Sequence, residues 1–203
     1  MKTKKTQEET VGADNMIALS NPYSFKVKIK GISNILFHRW DCESVKEKAK
    51  SPKGGLAKKT DDIESFVYRD AKGNLSIPAE YLRQSIIHAA KFKQDPRSPR
   101  KSAMDLYKAG IVSITDLSSL GKKNWDFLDK RRVVVQRAAI TRSRPSMYEG
   151  WEAEFIFLVN TPEYITPESI LDTINQAGKL VGVGDFRPTY GRFQVTNFEI
   201  LED

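Results

Sequence analysis

From Tyr23 to Lys30, apolar and polar side chains alternate without a break. Tyr23, Phe25, Val27 and Ile29 fall on one side; Ser24, Lys26, Lys28 and Lys30 fall on the other. A period of two marks a half-buried strand, so this stretch commits the chain to a sheet with one covered and one basic face. The basic face suits a polyanion, but lysines also protect sheet edges from aggregation, and both readings stand at this point. The chain has 203 residues with 33 Lys+Arg against 26 Asp+Glu, a formal net charge of +7. Such a surplus favours association with polyanions. The length suits one good-sized domain, and 39% hydrophobic residues can supply its core. No run is long enough for a transmembrane helix and the N-terminus lacks an apolar signal core, so a cytoplasmic protein with no membrane partner is expected. Cys42 is the only cysteine, which excludes an intrachain disulfide and a cysteine-rich metal site. No metal and no cofactor are expected.

Residues 1–21 show no period and read as a flexible tail. Residues 41–62 are a long polar excursion rich in lysine, with Ser51-Pro52, Gly54-Gly55 and Asp61-Asp62. Ser65 to Asp70 and Asn74 to Ile77 read as short strands about a turn at Ala71-Lys72-Gly73. Pro78 then opens a helix to about Lys91, with Leu82, Ile86 and Ala89 or Ala90 on one face. Lys93 to Lys101 reads as a basic, proline-broken loop. A short helix and a strand over Gly110 to Ile114 follow. Val133 to Arg144 alternates loosely and is rich in arginine, and Trp151 to Val159 is an apolar strand. Thr166-Pro167-Glu168 has the cap, the proline and the acid of a helix start, and that helix runs to about Val181. Arg192 to Leu201 is a final strand. The order predicts an α+β fold: one ferredoxin-like or RRM-like β-α-β-β-α-β domain over 22–203, two helices on one sheet face, and insertions at about 41–62 and 93–130.

The segment between the last helix and the last strand is Gly182-Val183-Gly184-Asp185-Phe186-Arg187-Pro188-Thr189-Tyr190-Gly191-Arg192. Its glycines permit close backbone approach, and its arginines and aromatics are phosphate-binding and base-stacking residues. It resembles the signature loop of the CRISPR-associated RAMP superfamily, with Gly182, Gly184, Tyr190, Gly191 and Arg192 matching and the usual aromatic between two closing glycines missing. Residues 63–87 resemble the stretch by which that family enters its first helix; Val67, Arg69, Asp70, Gly73, Ile77, Pro78, Leu82 and Arg83 fall into place in order. Ala79-Glu80-Tyr81 replaces the family's small Gly-Ser-Ser run. The resemblance covers roughly 22–92 and 165–201. It implies an RRM-like unit that coats guide RNA and multimerises along it with copies of itself and other effector subunits in antiviral defence. The excursion 41–62 would then resemble the thumb or finger that reaches a neighbouring protomer or kinks the RNA.

Several residues are candidate nucleic-acid contacts. Arg83 and the α-helix start at Pro78 suit a phosphate, and Arg187 and Arg192 lie among glycines. Phe186 and Tyr190 can stack on bases or pack into the core. Lys26, Lys28, Arg137 and Arg142 add positive charge, as do Arg97, Arg100 and Lys101. Catalysis is the weaker reading. The candidates there are His38, which follows the first strand, and the acids Asp61, Asp62 and Glu64, which resemble the acid position of target-cleaving family members. A single-stranded DNA-binding protein on the same scaffold is a further alternative.

Overall fold

In the computed structural model, the described residues are 21–39, 62–135 and 138–201. The expected tail and the 41–62 excursion fall outside them except at their last residues, and so do Asp61 and Arg137. The strands are β1 (Tyr23–Gly31), β2 (Ile35–Leu36), β3 (Tyr68–Arg69), β4 (Leu75–Pro78), β5 (Gln94–Asp95), β6 (Ser98–Ser102), β7 (Ile111–Ser113), β8 (Leu117–Ser119), β9 (Phe127–Val135), β10 (Ala138–Met147), β11 (Glu152–Val159) and β12 (Phe193–Leu201). The helices are α1 (Ala79–Ala89), α2 (Met104–Gly110) and α3 (Pro167–Leu180).

The fold is α+β, built on antiparallel sheets. Its main sheet has the order β12-β1-β11-β7. The alternation in β1 does what its pattern demands: Phe25, Val27 and Ile29 are fully buried, and across the strand pair Phe155, Phe157 and Val159 join them. Leu82 and Ile86 of α1 and Ile170, Ile174 and Ala177 of α3 complete the same core. Each of these side chains larger than alanine contributes about 1.5–3 kcal/mol on burial. The two helices also pack on each other.

The start of α3 follows the sequence closely. Thr166 caps it, its hydroxyl accepting from the Ser169 N–H at 3.3 Å, and Pro167 takes the first position. Proline has no N–H to leave unsatisfied there. Pro78, by contrast, ends β4 in an extended conformation and is the residue before α1, not within it.

The opposite sheet face is not the bare basic surface that the lysines alone imply. Lys26 pairs with Glu199 at 3.3 Å, Lys28 with Glu152 at 2.7 Å, and Lys30 with the same Glu152 at 3.8 Å. The acids come from the neighbouring strands β11 and β12. A single strand's pattern cannot reveal them.

Three further segments differ from expectation. Residues 93–101 are not an open loop: β5 and β6 pair there, and the buried Asp95 carboxylate accepts from the Arg97 backbone and guanidinium. Ser65 to Asp70 is a 3-10 turn over Glu64–Phe66 followed by only the two residues of β3. The arginine-rich region is half of a long hairpin, in which β9 and β10 pair from Phe127↔Ser146 to Val135↔Ala138. Residues 127–147 carry six basic residues and one acid, Asp129.

One close approach fixes the helix on the sheet. A Cβ at Gly178 would lie 2.2 Å from the Phe193 carbonyl oxygen. Gly178→Ala therefore forces α3 away from β12 and should lower stability by about 1–3 kcal/mol, read as a lower urea midpoint at unchanged m-value.

Candidate nucleic-acid interface

After α3, the chain turns sharply. The Val181 and Gly182 N–H groups both reach the Ala177 carbonyl, ending the helix. Residues 182–191 then fold back on themselves and onto the β1–β2 connection. Val183 N–H donates to Gly191 O at 2.9 Å, Gly191 N–H to Asn34 O at 2.8 Å, and Asp185 N–H to Leu36 O at 2.9 Å. Arg192 N–H donates to the Ser33 hydroxyl at 2.9 Å. At Gly191, with φ +71, a Cβ would sit 1.6 Å from the Val183 carbonyl oxygen, and one on Gly184 would sit 2.7 Å from that of Leu36. These glycines, with Gly182, let the loop press against its own chain. The close backbone approach read from the sequence is thus taken up internally.

Two charge clusters hang on this loop. Arg144 of β10 is only 2% exposed, and its Nε donates to Asp185 Oδ2 at 2.8 Å. Its guanidinium lies 4.9 Å from the centre of the Phe66 ring. His38 Nδ1 stands 3.7 Å from the same Asp185 oxygen, its ring edge-on to Phe66, and its carbonyl accepts from the Tyr81 hydroxyl at 3.2 Å. Burial pushes that hydroxyl's pKa well above the usual tyrosine value.

Arg131 of β9 forms the second cluster. Its guanidinium is 4.6 Å from the Phe186 ring centre and 4.5 Å from that of Tyr190, and it donates to the Tyr190 hydroxyl at 2.7 Å. Hydrogen bonding to Asp129, with a further contribution from Tyr190, raises its pKa further, so the charge is permanent. The two aromatics expected to stack on bases therefore already hold a planar cation from the hairpin. Phe186 adopts φ 56, in the left-handed region.

The other candidates divide cleanly. Arg83 is committed within the chain: its guanidinium donates to the carbonyls of Ile111 and Lys108 and pairs with Glu80 at 3.1 Å, tying α1 to the end of α2. Glu80, one turn before it, was the readable half of that signal. Ala79 N–H, at the start of α1, is taken by the Asp116 carbonyl. Lys26 and Lys28 lie in the paired face described above. Arg142, Arg187 and Arg192 make no side-chain hydrogen bond or ion pair among the described residues; Arg187 and Arg192 are exposed.

The acids considered for catalysis are, where described, hydrogen-bonded within the chain. Asp62 accepts from the Glu64 N–H in the 3-10 turn. Glu64 accepts from Arg69 at 2.7 Å and from the Trp125 indole at 2.9 Å, and those two bonds hold its pKa below the usual carboxylate range. Among the described residues, no group of three or more His, Cys, Asp or Glu is arranged to hold a metal.

Two clefts open on either side of the loop. One, of about 330 Å³, is lined by His38, Glu80, Tyr81, Gln84, Asp185 and Arg187. The other, of about 430 Å³, lies between His88, Lys91 and Phe92 on one side and residues 184–188 on the other. Residues 184–187 are the ridge between them. Sequence reasoning passed over Gln84, Lys91 and Phe92 because nothing in a helical period distinguishes a cleft wall from a solvated face.

The architecture and this loop define the class: an α+β fold whose last helix and last strand are joined by a glycine-rich loop docked on the first strand's exit. Solved structures of similar architecture are known. A chain of the type III-B Cmr-beta complex bound to cognate target RNA matches over 93% of this chain and 64% of its own length, with 12% identity and a TM-score of 0.53. Cmr6 from Pyrococcus furiosus matches over 86% of this chain and 98% of its own, with 10% identity and a TM-score of 0.45. The present fold is thus like that of the matched Cmr-beta chain. The chain spans just under two thirds of the Cmr-beta chain. No family model and no curated protein matches the sequence. No helix among the described residues is long and apolar enough to cross a membrane.

The Asp185–Arg144 pair is lopsided in burial, and that gives a test. Asp185→Ala strands a guanidinium without water or counter-ion, whereas Arg144→Met leaves a carboxylate that water can still reach. Asp185→Ala should cost about 3 kcal/mol and Arg144→Met clearly less, measured by denaturant unfolding. Glu64 gives a second. Its folded-state pKa is depressed, so its contribution is present above the unfolded carboxylate value of about 4.3 and is lost as pH falls through the lower folded value. The part of the tryptophan emission that disappears in Trp125→Phe should stay constant from neutrality to about pH 5 and change only below the usual carboxylate range.

Proposed function

We propose that this protein is an RNA-binding subunit of a CRISPR-type effector complex. Its core is a ferredoxin-like, RRM-like unit within a single domain, and it holds guide RNA by its phosphates while multimerising along it with copies of itself and other effector subunits. The observation that carries the reading is a set of arginines with no side-chain bond among the described residues: Arg187 and Arg192 in the glycine-rich loop and Arg142 on the adjoining hairpin. The strand order β12-β1-β11-β7, with α1 and α3 on one face, supports the ferredoxin-like assignment. That the Cmr-beta complex is bound to target RNA supports the choice of ligand. Lys130 and Arg132, both exposed on β9, extend the positive surface along the hairpin. Phosphate contacts of this kind fix a strand's path without reading its sequence.

A second reading, an endoribonuclease using His38, is favoured by one observation: the imidazole stands beside the Asp185 carboxylate at the edge of a cleft. Such a pairing orients a general base. It predicts RNA cleavage that His38→Ala abolishes.

Fluorescence anisotropy with labelled single-stranded RNA tests the main reading. The logarithm of affinity should fall linearly with the logarithm of salt, and Arg187→Ala with Arg192→Ala should flatten the slope by about 1.4, or 0.7 per lost phosphate contact. DNA of the same sequence should bind more weakly. Equal affinity would favour a single-stranded DNA-binding protein, and no binding to either would overturn the proposal.

A further inference from the structure

Two large apolar side chains stand open to water beside the glycine-rich loop. Phe92 is 59% exposed and Leu180 52%. Single exposed hydrophobics are ordinary on a protein surface, but these two come from different elements and meet in one place. Phe92 ends the 3-10 turn Ala90–Phe92 that continues α1, and Leu180 is the last residue of α3. Both line the cleft of about 430 Å³ beside residues 184–188, within the range of small-ligand sites, about 300–1,000 Å³. Because α1 and α3 pack on each other, the helix ends that carry these side chains are fixed by the core.

The charges around the cleft narrow the ligand. Lys91 and Arg187 are exposed on its walls, and neither has an ion pair among the described residues. The Lys91 ammonium lies 4.8 Å from the centre of the Phe92 ring; it can cover one face at most, and the rest of the ring stays open. Asp185 is the acid among the described lining residues, and it is already bonded to Arg144 at 2.8 Å. An apolar wall with a free aromatic ring, flanked by unpaired cations, fits an anion that carries a flat ring. A protein segment must bring an acid and an apolar side chain in the right spacing, whereas a single-stranded nucleic acid brings a ring and a phosphate in every residue. Phe186 and Tyr190, the loop's own aromatics, are taken up by Arg131; Phe92 is the open ring beside them.

We infer that this cleft is a base-stacking subsite: a base of the bound RNA lies on Phe92, Leu180 extends the apolar wall, and Lys91 and Arg187 meet the flanking phosphates. This rests on the RNA-binding reading and deepens it, since Phe92 adds a contact that salt does not screen. Every base has a face to stack, so the subsite tolerates any sequence.

The test uses the full chain and a short labelled oligouridine RNA, with affinity read by anisotropy over a series of salt concentrations. Phe92→Ala should weaken binding about tenfold, the loss expected of one stacked base, and should leave the salt slope unchanged because a stacked ring releases no counterion. Phe92→Tyr should keep the wild-type affinity, while Phe92→Leu, apolar but not flat, should behave like Phe92→Ala. Lys91→Ala should instead flatten the slope by about 0.7, one lost phosphate contact. Circular dichroism of each variant separates loss of binding from loss of fold. The wild-type protein, irradiated with a strand containing 5-iodouridine, should cross-link at Phe92, as read by mass spectrometry of the digest. Unchanged affinity in Phe92→Ala overturns the subsite, leaves the RNA-binding reading intact and returns the cleft to a protein neighbour. Full affinity in Phe92→Leu overturns stacking in favour of simple apolar packing. A cross-link only outside the cleft overturns the placement, and no binding of RNA by the wild-type protein overturns both readings.

Discussion

A guanidinium that has lost its water must find an anion inside the protein, and Arg144 finds it in Asp185. Much of the loop-and-hairpin end of the molecule depends on that requirement. Arg144 belongs to the long hairpin and Asp185 to the glycine-rich loop, so satisfying one charge joins two elements that are 41 residues apart. The loop is held from its other side by backbone hydrogen bonds to residues 32–36, which set His38 beside the same carboxylate. Arg131 repeats the arrangement one step further along β9, clasped by Phe186, Tyr190 and Asp129. The loop is thus a keystone between the first strand's exit and the hairpin. Among the described residues, Arg142, Arg187 and Arg192, like Arg132 of β9, stay outside these clusters.

Much of the fold was legible because burial imposes periods. The strands at Tyr23, Trp151 and Arg192 and the helices near Pro78 and Thr166 all lie where alternation or a cap signal put them. The 93–101 segment was misread since Asp95 and Arg97 make a local turn whose logic is an ion pair, not a hydrophobic period. The β9–β10 hairpin was only half visible for a similar reason: its arginines face other charges and rings instead of a core.

The candidate site was less legible than the fold. Which arginine is spent within the chain depends on acceptors that sequence cannot place. Arg83 finds carbonyls at the end of α2, and Lys26 and Lys28 find acids on β12 and β11. Among the described residues, Arg187 and Arg192 find none. Glycines were correctly seen to allow close approach, but the approaching backbone is the protein's own. The motif resemblance located the loop; only the fold shows which of its groups are spent inside the chain.

The Lys–Glu lattice on the open sheet face has a consequence for the way a long anion meets this molecule. Pairing across β1, β11 and β12 makes that side nearly silent at a distance, while the loop and hairpin side keeps unbalanced positive charge. The protein therefore has a front and a back. An approaching strand feels a torque as well as a pull and turns the molecule before any contact forms. The quiet side gives such an anion little to hold.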